Sequence, residues 1–284
     1  MSTLAVALAL AAATCYAFAS TLQHRAARRE RPHATLDPRL LLRLLRRPLW
    51  LAGEAADIAG AGLHAAALAF GPLALVQPLL VSGLVLAIPM EAALDRRRPD
   101  RLDLVAVGLS AAGLATFVGI ARPQPGQPAP SSGAWIEVAI GVGACVAALL
   151  VLARRSTGPR RATFLGIATG VLFAFAAALA KACVARLGTG PFGLLTDWRL
   201  YALILVGVTA LVLNQNAFQA GTLAGPLTGI TLADPLVSLA IAVTAFDEEL
   251  STGGVRSLIE VLAALAMARG IWLASRVRAA EAAR

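Results

Sequence analysis

Asp234 stands next to Pro235 in the middle of an apolar run, LADPLVSLAIAVTAF, and no other acid in the chain has so apolar a setting. An acid at the centre of a membrane helix costs about 2.5–3.5 kcal/mol to insert, so it faces a cavity or a partner. Pro235 has no N–H to give the carbonyl one turn back, and loosened backbone beside an acid at mid-depth suits a cation or proton site. The plainer reading is a buried acid capped by a hydroxyl such as Thr231. Gln77, before Pro78, is its neutral counterpart earlier in the chain.

Glu54, Asp57 and His64 fall within about 80° of one another on one helical face. Glu54 and His64 are roughly 15 Å apart along the axis, which rules out one metal site and leaves a polar ladder. Histidine changes charge near neutral pH, although a lone one more often simply packs. Asn214, Gln215 and Gln219 in LNQNAFQ suit either a polar lining or hydrogen-bonded helix packing. Lys181 is the single lysine among 25 basic residues. It can snorkel to the surface or pair with a buried acid, because a lysine adapts its protonation when desolvated. Arg269 reads as a snorkelling residue. Glu91 and Glu248 close their apolar runs as gating or helix-ending acids, or as ordinary interfacial charges.

The elements that must hold these residues are membrane helices. The chain is 58% hydrophobic and 14% charged, with a mean hydropathy of +0.74. Nine apolar runs are long enough to cross a hydrocarbon layer of about 30 Å. They cover about 2–22, 49–70, 72–94, 102–121, 134–153, 163–186, 199–219, 225–246 and 257–275. The expected fold is all-α, a polytopic bundle of nine transmembrane helices in a single domain, 1–284.

The net charge of +9 is sorted by side rather than gathered for nucleic acid. Segments 23–48, 95–101, 154–161 and 276–284 hold 8, 4, 4 and 3 arginines; 122–133, 187–199 and 247–256 hold one each. Arginine accumulates on the cytoplasmic side, which predicts an external N-terminus and a cytoplasmic C-terminus in the plasma membrane. Segment 23–48, with RLLLRLLRR, reads mainly as that topology signal, and RPQPGQPAPSSG as an external spacer. Cys15, Cys145 and Cys183 lie within apolar runs and behave as small apolar residues, with no disulfide, metal or cofactor assigned.

The runs also repeat. Phe18 and Phe175, Pro78 and Pro235, Glu91 and Glu248, and Gly113 and Gly270 all stand 157 apart; Gly53 and Gly207, and Gly71-Pro72 and Gly225-Pro226, stand 154 apart. The reading is two four-helix repeats, about 1–121 and 158–278, joined by a helix at about 134–153. An odd number of crossings between them turns the second over. Inverted repeats of this kind are typical of secondary transporters, whose site lies between the halves.

Several stretches carry a family likeness. PLW at 48–50, AFGPLALVQPL at 69–79, AKACVAR at 180–186, LNQNAF at 213–218 and DPLVSLAIAVTAFDEEL at 234–250 are the pieces concerned. They resemble the NIPA-type magnesium transporters of the drug/metabolite transporter superfamily, the DMT or EamA-like group. The resemblance implies a nine-span, N-out transporter working by alternating access. Where the NIPA-type pattern has Gly-Glu this chain has Gly60-Ala61, and where an asparagine follows it has His64. Fold and transport class carry over; magnesium does not.

The expectation is a transporter, not an enzyme, in a lipid bilayer, moving a small solute or cation with proton or ion coupling. A homodimer is a candidate assembly. NIPA-like divalent-cation transport is the first alternative. A membrane-embedded enzyme would need a tight catalytic cluster, and HxxxH and GxSxG are both absent. A non-transporting scaffold would leave Asp234 without a role.

Overall fold

The computed structural model describes residues 3–27, 43–83, 126–187, 191–220 and 224–249, with scattered positions at 86–124 and 259–269. Among the described residues eight helices are defined: α1 Thr3–Ala27, α2 Pro48–Phe70, α3 Leu73–Leu80, α4 Ser132–Arg154, α5 Gly158–Leu187, α6 Pro191–Leu195, α7 Trp198–Gln219 and α8 Ala224–Thr244. Among the described residues there is no strand, only one isolated bridge between Gln124 and Glu249. The architecture is all-α.

Helix boundaries follow local chemistry. Pro48 occupies the first turn of α2, where its missing N–H costs nothing. Gly71 ends α2 in extended backbone and Pro72 starts α3. Ser131 caps α4 through Oγ, 3.2 Å from the Ala134 N–H, and Asp197 caps α7 through Oδ1, 2.9 Å from the Arg199 N–H.

Among the described residues, four helices are long and apolar enough to cross a bilayer: 3–23 of α1, α4, 160–187 of α5, and α7. They differ in surroundings. About 72% of the apolar window of α5 is buried against only 11% in α4, so α5 is the central helix and α4 a peripheral one. Helices α7, α8 and α4 pack around α5, while α1 lies along α2 and the short α3 bridges to α8. Small residues make the closest approach possible. A Cβ added to Gly170 would stand 2.8 Å from the Ile230 carbonyl oxygen, and one on Gly166 would fall onto the Pro226 carbonyl.

The runs predicted at 134–153, 163–186, 199–219 and 225–246 appear as α4, α5, α7 and α8. Most of 102–121 and 257–275 lies outside the described residues, as do Glu91 and Gly270.

One segment departs from expectation. The Pro/Gly-rich stretch at 122–133, read as an idle spacer, is tied to the turn after α8. Gln127 donates its backbone N–H to the Phe246 carbonyl at 2.7 Å, and Gln124 donates to Glu249 at 2.9 Å. Gln127 Nε2 also donates to Asp247 Oδ2. Backbone donors that a proline-rich segment cannot pair internally are paired across to a second loop.

Candidate functional site

Six helices enclose a cavity of about 600 Å3. From α2 come Glu54, Asp57, Ala61 and His64, so the face read from the sequence all turns inward. From α8 come Thr231, Asp234 and Pro235, and from α3 comes Gln77. Asn214 of α7 joins the lining. Gln215 and Gln219 lie outside it, and Pro78 is buried beside Gln77.

His64 is held from both sides. Its Nε2 lies 3.4 Å from Gln77 Nε2 and its Nδ1 lies 3.4 Å from the Tyr16 hydroxyl. The Tyr16 ring meets the imidazole edge-on, with centroids 6.2 Å apart. One assignment consistent with both contacts has the Gln77 amide donate to Nε2 and the ring proton sit on Nδ1, toward the tyrosine oxygen. That arrangement leaves Gln77 Oε1 buried without a hydrogen-bond partner.

The acids are treated unequally. Glu54 Oε2 accepts from Gln23 Nε2 at 3.1 Å, and Gln23 Oε1 accepts from Gln215 Nε2 at 3.4 Å. This relay ties α2 to α1 and α7, so Gln215 serves as packing chemistry rather than as lining. Asp234 Oδ1 accepts from Ser238 one turn on, at 3.2 Å. Asp57 and Asp234 have no cationic partner among the described residues. Tyr16 is within electrostatic reach of both.

Lys181 does not answer Asp234. It forms an ion pair with Glu248, outside the cavity lining. Glu248 is 2% exposed, in the turn after α8. Asp247 takes a left-handed φ of 52° there, a conformation that aspartate tolerates better than most residues. The Glu248 carboxylate accepts the first two amides of α3, Leu73 N–H at 2.7 Å and Ala74 N–H at 2.8 Å. It thereby caps a helix from 174 residues away in sequence. Phe246 stacks under Lys181, with Nζ 4.6 Å from the ring centre.

Sequence reasoning missed Tyr16 and Gln23. Tyr16, Ser20 and Gln23 are spaced i, i+4, i+7 along an otherwise apolar α1, a polar stripe that could have been found, and all three line the cavity.

The lining also falls into a register. Tyr16 and Phe173, Ser20 and Ala177, and Gln23 and Ala180 stand 157 apart, as do Gln77 and Asp234. Glu54 and Val208, Asp57 and Leu211, and His64 and Phe218 stand 154 apart. Every one of these residues faces the cavity.

Long apolar helices packed around a cavity that holds a few acids and amides fit an α-helical protein embedded in a membrane. The chain is 30% identical over 274 residues to an uncharacterized protein of Corynebacterium glutamicum, Cgl0250/cg0304, covering 94% of this chain and 95% of that protein. It belongs to the same family as that protein. No family model matches the chain, and no solved structure matches it.

Proposed function

We propose that the protein is a secondary transporter of a small solute or cation, in which two inverted four-helix repeats alternate access to a shared central cavity. The observation that carries this reading is the lining register. Positions related by the 157 and 154 offsets face one cavity from both halves, as expected of a site on a pseudo-two-fold axis in the membrane plane. Asp234 and Gln77, each preceding a helix proline, are such a pair. The nine-span count, repeats at about 1–121 and 158–278, and membership of the drug/metabolite transporter superfamily complete the reading. So do an external N-terminus and a cytoplasmic C-terminus in the plasma membrane.

The polar ends are asymmetric in a way that suits alternating access. Ion pair, helix cap and loop–loop contacts gather where α2 turns into α3, while the cavity lies toward the opposite ends of α1 and α2. With the arginine-rich segments cytoplasmic, the sealed end is external and the cavity addresses the cytoplasm.

Uptake into proteoliposomes, screened over solutes with and without a pH gradient, tests the transport reading. Asp234→Asn keeps shape and removes charge. It is expected to abolish coupled uptake while leaving insertion intact, and Gln77→Ala to do much less. Wild-type uptake by Asp234→Asn from about pH 5 to about pH 8 would make the acid structural. Divalent-cation transport is the second reading, favoured by three carboxylates on one cavity. Its weakness is Ala61, which lines the cavity where the NIPA-type pattern carries an acid.

A further inference from the structure

The two halves contribute the same positions to the cavity but opposite chemistry. Tyr16, Gln23, Glu54, Asp57 and His64 form the wall from the first half. Their register mates are Phe173, Ala180, Val208, Leu211 and Phe218. One wall is acidic and hydrogen-bonding, and the other is apolar and partly aromatic. Asn214, Thr231 and Asp234 are the polar exceptions in the second half, and Asp234 adds an acid to the same cavity.

Unmet acceptors gather around the cavity. Gln77 is 1% exposed, it lines the cavity, and its Oε1 has no partner. Asn214 Oδ1 is likewise buried without one. The carboxylates of Asp57 and Asp234 add negative acceptors to the same lining. A buried acceptor left unpaired is costly, and a donor that reaches it recovers that cost. Among the described residues no lysine or arginine lines the cavity to supply a cationic donor.

Size decides between an inorganic and an organic cation. The volume of about 600 Å3 lies within the range of about 300–1,000 Å3 that drug-sized ligands occupy. A dehydrated magnesium ion instead needs oxygen ligands at about 2.0–2.1 Å in octahedral geometry. Among the described residues no three His, Cys, Asp or Glu side chains converge that closely.

We infer that the cavity binds an amphipathic organic ammonium ion: a protonated amine carrying N–H donors on an apolar, preferably aromatic, body. The ammonium group is drawn to the carboxylates of Asp57 and Asp234. The body lies against Leu211, Phe173 and Phe218, whose rings also favour a nearby cation. This deepens the transporter reading and rests on it for the word substrate, though the binding itself can be measured alone.

Isothermal titration of the purified full-length protein with 4-phenylbutylammonium tests the inference, with 4-phenylbutyrate and magnesium chloride as competing probes. The amine is expected to bind saturably and the carboxylate and magnesium not to displace it. Asp57→Asn and Asp234→Asn should each weaken the amine by about tenfold or more. Phe173→Ala should reduce the preference for phenylbutylammonium over butylammonium. Thermal unfolding of each variant shows that it is folded. Absence of amine binding, binding of magnesium in its place, or unchanged amine affinity in both aspartate variants overturns the inference. Uptake of the same amine into proteoliposomes separates the two readings. Binding without uptake supports the ammonium site and overturns transport of this amine. Uptake of another solute by a protein that ignores the amine leaves transport standing and overturns the ammonium site.

Discussion

Glu248, a buried acid, and Asp57 and Asp234, half-buried acids on the cavity, meet opposite fates in the same chain. Glu248 has every need met: a lysine, two helix amides and a loop packed over it. Asp57 and Asp234 face a cavity, with one serine between them as a hydrogen-bond donor. A satisfied buried acid fixes structure, because removing it strands its partners. An unsatisfied one is carried at a cost to stability and is retained for what it binds. Stability and ligand binding should therefore separate along this line.

The largest effect falls on Glu248. Glu248→Ala leaves Lys181 charged and buried and takes the cap from two α3 amides. The expected loss is about 3–5 kcal/mol, the cost of breaking a buried pair from one side. Thermal unfolding in detergent measures it. The double variant Lys181→Met with Glu248→Leu should recover much of the loss, since two apolar groups leave no stranded charge. A Glu248→Ala protein that melts with the wild type would erase the distinction between the two sites.

Asp197 lies between the extremes and sharpens the scale. It caps α7 and pairs with Arg186 and Arg199, each at 3.1 Å, but the Arg186 side chain is about half exposed. Burial pushes its carboxyl up. The Arg199 N–H, the Arg186 hydrogen bond and the two guanidinium charges outweigh that and hold it below the ordinary value. A depressed folded pKa gives stability that is present above the unfolded value, about 3.9, and is lost as pH falls through the folded one. Asp197→Asn should cost under about 1 kcal/mol near neutrality, because solvent screens the exposed partner. The gap in melting temperature from wild type should shrink below about pH 4. A gap that widens on acidification would contradict the assigned partners.

How far the sequence disclosed this arrangement varies with range. The helices were legible because apolar length and caps are local signals. The inward face of Glu54, Asp57 and His64 was legible from helical spacing alone, and Asp234 from its depth. The Lys181–Glu248 pair was not, since it joins α5 to a turn beyond α8 and depends on how they dock. The same holds for Gln127 on Asp247: a proline-rich loop looks idle until the loop it covers is known. Tyr16 and Gln23 were visible as a polar stripe, but their tyrosine, serine and amide groups are less conspicuous than a charge.

The smallest stability effect, and the sharpest contrast, belongs to Asp57 and Asp234. Replacing either by asparagine removes a charge that no lysine or arginine answers among the described residues, and leaves the shape of the wall unchanged. Asp234→Asn also keeps an acceptor for the Ser238 hydroxyl, so the hydrogen bond within α8 survives. Unfolding midpoints should stay at the wild-type value or rise, because the desolvation cost of a carboxylate disappears. Amine binding should fall by about tenfold or more in the same samples. The opposite ordering is expected at Glu248: combined with Lys181→Met, it restores stability without touching a cavity residue, so amine binding is retained. Thermal unfolding and titration of these proteins side by side decide the matter. If Asp57→Asn and Asp234→Asn unfold as early as Glu248→Ala, those acids are structural too, and the cavity loses the feature that marks it as a binding site.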